Sequence, residues 1–197
     1  AGGGEERAHY SRAEDIGRHA LELNARDPWA VHAVQHVFEM QGRVHDGVEW
    51  LQATAPNWSD SALSFHNWWH LALHYLELGE IEAALDLYDR LIHPKESVVA
   101  LELVDASQLL WRITLRGFDV DSRWQALADC GAKLPDDGFY AFNDLHALMA
   151  YASAGRDDRV HRVLATLEQR ARDSDSNGES TRSFGLPRGT CGKREST

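Results

Sequence analysis

The stretch HNWWHLALHYLELGEIEAALDLYD, residues 66–89, decides the architecture. Apolar residues recur at helical spacing on both sides of Gly79. A glycine just past a helix end takes the left-handed conformation that closes the helix, with no Cβ to clash. The stretch therefore reads as two helices joined by a tight turn. In the second, Ala84 lies where antiparallel helices cross closely, while Leu87, Tyr88 and Leu91 form a core stripe. In the first, Trp68, Leu71 and Tyr75 are the expected packing face. His66, His70 and His74 stand four residues apart, so a helix stacks them along one side.

The phrase recurs along the chain. FEMQGR closes at Gly42, LELGE at Gly79, TLRGF at Gly117 and ASAGR at Gly155, at spacings of 37, 38 and 38 residues. Each unit reads as helix, tight turn, helix and a longer link such as TAPNWSDSALSF (54–65), which carries Pro56 and Asn57. The opening HYSRAEDIGRHALELNARDP (9–28) reads as the second helix of an earlier unit, with Ala13, Ile16, Ala20 and Leu21 on one face. The fold class is all-α, built from antiparallel helix pairs.

A glycine between helices, an alanine early in the second helix and a proline exit resemble the tetratricopeptide repeat, whose usual period is about 34 residues. The longer links account for the excess. Three motifs narrow the resemblance: DPWAVHAVQHVFEMQGR (27–43), the opening stretch (66–89) and FNDLHALMAYASAGRDD (142–158). In this order they are similar to the family typified by tetratricopeptide repeat protein 38, over roughly residues 10–187. The resemblance implies a tetratricopeptide-like α–α superhelix whose first helices line a concave face; it brings no defined activity. The expected helical repeat domain spans residues 1–187. That family continues past a GLP motif, matched by Gly185, Leu186 and Pro187, into a further helical pair. Here RGTCGKREST (188–197) follows, polar and basic with no apolar period, and reads as a disordered or aberrant tail.

Composition narrows the partners. The 197 residues are 43% hydrophobic, enough for a real core. With 31 acidic against 20 basic residues the net charge is −11, which repels phosphate backbones and anionic lipid. Nucleic acid and membrane are therefore excluded as expected partners. No apolar run approaches the roughly 20 residues needed to cross a bilayer. Two cysteines, Cys130 and Cys191, make no disulfide framework, so a cytoplasmic setting is expected. The start AGGGEERAHY lacks a basic and then apolar leader and an initiator Met, and reads as the cut edge of a longer chain.

The conspicuous polar residues all fall on first helices. His32, His36 and Glu39 lie at i, i+4 and i+7 of one; His66 and His70 belong to the next. Asp105 and Gln108 lie on a third, and Asn143 and His146 on a fourth. His32 and His36 have the spacing that holds a metal from one helix face, and His66 and His70 could complete the set. Three readings stay open: a divalent metal site on those four histidines, an unmetallated polar groove, and structural hydrogen bonding. No cofactor other than such a metal is expected, since no H-E-x-x-H motif, nucleophile elbow or phosphate-cradling glycine loop is present. Trp29, Trp58, Trp68, Trp69, Trp111 and Trp124 are spread over every unit, as wedges between helices would be. Trp50 is expected in the core. Trp69, turned about 100° from Trp68, is the better groove residue.

These residues give a non-enzymatic scaffold as the first expectation, with a concave face of His, Trp and Glu that captures a peptide, protein or small molecule. An enzyme or small-molecule binder using the same histidines for acid–base or metal chemistry is the competing expectation. Homo-oligomerisation through an exposed solenoid end is the third. In every version His66 and Trp69 face His32 and His36, His70 sits at the boundary, and His74 is too far around its helix to join.

Overall fold

The computed structural model describes residues 2–93, 97–134 and 138–173 with Glu179 and Ser183, and side chains from His9 onward. The expected GLP motif and the tail 188–197 lie outside the described residues. Among those described the chain is helical, without strands. It falls into two compact units, residues 1–95 and 96–197. The first holds α1 (Gly2–Leu23), α2 (Pro28–Gln41), α3 (Val44–Trp58), α4 (Ser64–Glu77) and α5 (Ile81–Leu87), which runs on through a π-helical turn, Tyr88–Ile92. The second holds α6 (Ala100–Leu115), α7 (Arg123–Gly131), α8 (Ala141–Ser153) and α9 (Asp157–Arg170). No helix among the described residues is long and apolar enough to cross a membrane.

All four periodic glycines do the work their spacing suggests. Gly42, Gly79, Gly117 and Gly155 end α2, α4, α6 and α8 with φ of 66°, 79°, 84° and 67°. The residue after each glycine donates its N–H back to a carbonyl of the last turn: Arg43 to Phe38 at 2.9 Å, Glu80 to Tyr75 at 2.8 Å, Phe118 to Ile113 at 3.4 Å and Arg156 to Tyr151 at 2.9 Å. These bonds satisfy carbonyls that a helix end otherwise leaves orphaned. At the other end of α2, Asp27 Oδ1 accepts from the N–H groups of Trp29 (2.9 Å) and Ala30 (3.2 Å), with Pro28 in the first turn.

Three details depart from the sequence reading. The link expected over 54–65 is shorter, because α3 continues to Trp58 with Pro56 inside it. Trp58 is fully buried and its Nε1–H donates to Thr54 Oγ1 at 2.9 Å, which holds the last turn closed around the proline. On α1, Ala13 is exposed and Ile16 is 60% exposed, so they are not the packing face. That face centres on Gly17, where a Cβ would lie 2.5 Å from Val34 Cγ2. A close helix crossing, not local hydrophobicity, sets the rotation of α1. The third departure follows Leu87. His93 N–H bonds the Tyr88 carbonyl at 2.9 Å, an i→i+5 bond that widens the turn and delays the core stripe. Ile92 is therefore fully buried and Leu91 only half-buried, while Ala84, Leu87 and Tyr88 are buried as expected.

Around Arg43 the first unit is tied together. Its Nη1 donates to Glu14 Oε2 at 2.6 Å, its Nε to Asp46 Oδ2 at 2.6 Å, and its guanidinium lies 4.5 Å from the Phe38 ring centroid. In the second unit Ala128, Ala141, Tyr151, Val163 and Leu167 form the core, and Cys130 is a small buried packing residue beside it.

Candidate functional site

The site is built on α2 and α4, both in the first unit. Helix α4 is buried nearly all round, at Phe65, Asn67, Trp69, His70, Leu71, Ala72, His74 and Leu76. A helix packed on several sides has no single apolar stripe, so polar residues must enter the interior with it. The burial of its two tryptophans departs from the one-stripe expectation. Trp69 is buried, at 8% exposure, whereas Trp68 is half-buried against Trp58 with ring centroids 4.5 Å apart.

Four imidazoles meet between the two helices. His32 lies 4.9 Å from His66 and 4.9 Å from His70 between ring centroids, His66 lies 4.8 Å from His70, and His36 lies 4.4 Å from His32 and 4.7 Å from His70. The Nε2 atoms of His32 and His66 are 3.1 Å apart, one donating a proton to the other's lone pair. Glu39 bridges the remaining pair: Oε1 accepts from His70 Nδ1–H at 2.6 Å and Oε2 from His36 Nδ1–H at 3.1 Å. His70 is not at the boundary. Its side chain is 1% exposed and stands at the centre.

Aromatic rings fix the cluster. Trp69 stacks on His66 at 5.3 Å with 12° between planes and meets His70 edge-on at 4.9 Å. Trp29, at 64% exposure, stands edge-on to His32 at 5.9 Å and forms the rim. The sequence reading took Trp29 only as a wedge. Its place one helical turn before His32 was the signal that it belongs to the same face.

Electrostatics keep His32 and His70 neutral. Burial, then the neighbouring histidines, pushes His32 down to about 3. Burial pushes His70 down to about 4, although its bond to Glu39 works the other way. For Glu39, burial works to raise the pKa, but the bonds from His36 and His70 hold it well below the usual carboxylate range. At neutral pH Glu39 is thus a carboxylate beside neutral rings at His32 and His70 that offer lone pairs.

His74 stands apart, as expected. It is buried, accepts from Gln35 Nε2, and fills the space beside Gly47, where a Cβ would lie 2.1 Å from its Nε2.

The remaining candidates lie in the second unit. Asp105 is buried, and half-buried Gln108 accepts from Arg112 Nη1 at 3.0 Å through Oε1. His146 donates Nδ1–H to the Phe142 carbonyl at 2.6 Å, and burial lowers its pKa. Asn143 and His146 line a cavity of about 240 Å³ with Leu103, Val104, Tyr140 and Tyr151. The chain matches no family model.

Proposed function

We propose that this chain is a tetratricopeptide-like helical-repeat scaffold, of the kind typified by tetratricopeptide repeat protein 38, that binds a ligand on the α2–α4 face. The repeat and superhelix reading is supported by four helix-closing glycines at near-constant spacing, all with positive φ. The observation that carries the binding role is the convergence of His32, His36, His66 and His70 on Glu39 beside Trp69. A purely structural seam would fill this space with apolar side chains, since buried polar groups cost stability unless each is satisfied. Half-exposed His32 and His66 and the exposed Trp29 leave the cluster open to a ligand.

The chemistry sets the ligand class. An ionised carboxylate and a net charge of −11 disfavour acidic peptides and phosphates and favour neutral or cationic groups that hydrogen-bond to imidazole and pack on indole. Binding is favoured over acid–base catalysis, because pKa values of about 3 and 4 at His32 and His70 lie far from those suited to proton transfer at neutral pH. A protein, peptide or small-molecule partner in the cytoplasm fits this reading.

Imidazole-resolved NMR of the full chain tests it, with short lysine- and arginine-containing peptides and an acidic peptide as probes. The signals of His32, His36, His66 and His70 should move with the cationic peptides, while exposed His45 and His161 stay in place. Shifts confined to other residues would move the binding face elsewhere.

A further inference from the structure

We propose that His32, His66 and His70 bind one zinc-type divalent ion through their Nε2 atoms, with Glu39 holding His70 from behind. The proposal deepens the binding role of the α2–α4 face and rests on that reading for its place in function.

Start with what each nitrogen already does. His70 Nδ1–H is committed to Glu39 Oε1 at 2.6 Å, which fixes the tautomer and leaves Nε2 as the basic lone pair. That Nε2 is buried in a side chain 1% exposed, and it has no hydrogen-bond partner in the protein. The Nε2 atoms of His32 and His66 face each other and can share only one proton. The lone pair of His70 Nε2 thus lacks a donor, and a cation placed between the three Nε2 atoms satisfies it while replacing the proton that His32 and His66 share.

The spacing suits such an ion. One donor atom from each of His32, His66 and His70 lies within 4.8 Å of the others. A tetrahedral ion with bonds of about 2.0–2.1 Å sets its donors roughly 3.3 Å apart. The Nε2 atoms of His32 and His66 already stand at 3.1 Å, and the His70 donor, within 4.8 Å of both, closes the set by ring rotation. The rings arrive oriented, His66 by its stack on Trp69 and His70 by its bond to Glu39. A carboxylate behind a ligating histidine is the usual second layer of a zinc site, raising the basicity of the ring it holds.

A second grouping, His36, Glu39 and His70, also lies within 4.8 Å. It is the poorer choice. There the nitrogens and the carboxylate already satisfy one another through two hydrogen bonds, both of which a metal would break. Three protein ligands leave a fourth position, which half-exposed His32 and His66 open toward solvent. A ligand donor atom on the α2–α4 face would take that position.

Zinc and cobalt titrations of the tag-free full chain, after dialysis against a chelator, decide the matter with no peptide present. One equivalent of Zn²⁺ should bind, and Co²⁺ should give the intense visible bands of a tetrahedral site. His32→Ala and His66→Ala sit at half-buried positions, and each should weaken binding more than about 100-fold with unchanged helical circular dichroism. Glu39→Gln should cost about 10–100-fold. His36→Ala should cost less than about 10-fold, and His161→Ala nothing. Absence of stoichiometric uptake by the wild type overturns the proposal, as does loss of binding in His36→Ala with His32→Ala intact. Peptide-induced imidazole shifts without metal uptake would overturn the ion and leave the binding face standing. Metal uptake with no peptide response would do the reverse.

Discussion

His70 in the first unit and His146 in the second stand at the same register, nine residues before the glycine that ends their helix. Their surroundings are opposite. His70 lies among three imidazoles and a carboxylate, whereas His146 turns its Nδ1–H back to the Phe142 carbonyl of its own helix. The difference originates on the preceding first helix. Helix α2 places His32, His36 and Glu39 ten, six and three residues before Gly42; α6 places Ser107, Trp111 and Thr114 at the same distances before Gly117. Register fixes where a side chain points, and the neighbouring helix decides what it meets. The first unit answers with a polar cluster, and the second with a cavity of about 240 Å³ lined by Leu103, Val104 and Tyr151.

The sharpest way to break this contrast is through packing. Helix α3 passes so close to His74 that a Cβ on Gly47 would lie 2.1 Å from Nε2. In the second unit a Cβ on Gly131 would meet Tyr151 Oη at 3.4 Å, an ordinary contact. Gly47→Ala should therefore destabilise the protein by about 2–3 kcal/mol, because overfilling a dense interior forces side chains off their rotamers. Gly131→Ala should change stability by less than about 1 kcal/mol, helped by the better helix propensity of alanine. Urea unfolding of both variants measures the difference. Equal effects would mean that the first unit is no more tightly filled than the second around these helices.

Acid provides a second, smaller lever. A histidine in an unfolded chain titrates near 6.5. Burial holds His74 below that value, and His32 and His70 lie at about 3 and about 4. Below pH 6.5 the unfolded state takes up protons that the native state refuses, so stability falls with pH from 6.5 toward 4 and is fully present above 6.5. For buried His70 the slope is at most about 1.4 kcal/mol per pH unit. Glu39, held below the carboxylate range, adds a loss of the same sign at lower pH. The second unit has His146 as its histidine with a lowered pKa. Hydrogen exchange of the full chain in chelator, at pH 7 and pH 5, should show α2–α4 losing more protection than α6–α8. A uniform loss would remove the electrostatic half of the contrast.

Much of the framework was legible because it depends on local chemistry. Positive φ at a helix end selects glycine whatever surrounds it, so Gly42, Gly79, Gly117 and Gly155 marked the helix ends. The i, i+4 and i+7 spacing of His32, His36 and Glu39 likewise survives into the structure, since one helix determines it. What could not be read depends on neighbours. Trp69 is more buried than Trp68 because α4 is packed on several sides, where a one-stripe reading fails. His70 moved from boundary to centre because Glu39, 31 residues away, reaches its Nδ1. The rotation of α1 depends on the Gly17–Val34 approach, and the burial of Ile92 on a single π-helical bond. None of these leaves a mark on local periodicity.

The smallest expected effects sharpen the comparison by showing where the units should agree. Arg26 pairs with Asp60 at 2.6 Å in the first unit, and Arg156 pairs with Asp129 in the second. All four side chains are well exposed, at 65% and 68% in one pair and 45% and 62% in the other. Water screens such pairs, and ordering two long side chains offsets most of the attraction. Arg26→Ala and Arg156→Ala should each cost less than about 0.5 kcal/mol by urea unfolding, and less again in high salt. The backbone N–H of Arg156 keeps its bond to Tyr151 in the alanine variant, so the helix-ending turn is not at stake. A cost above about 1 kcal/mol in one unit alone would extend the contrast to the surface. Two negligible values would confine it to the interiors, where Glu39 and its histidines face one another in one unit and buried Tyr151 lines a cavity in the other.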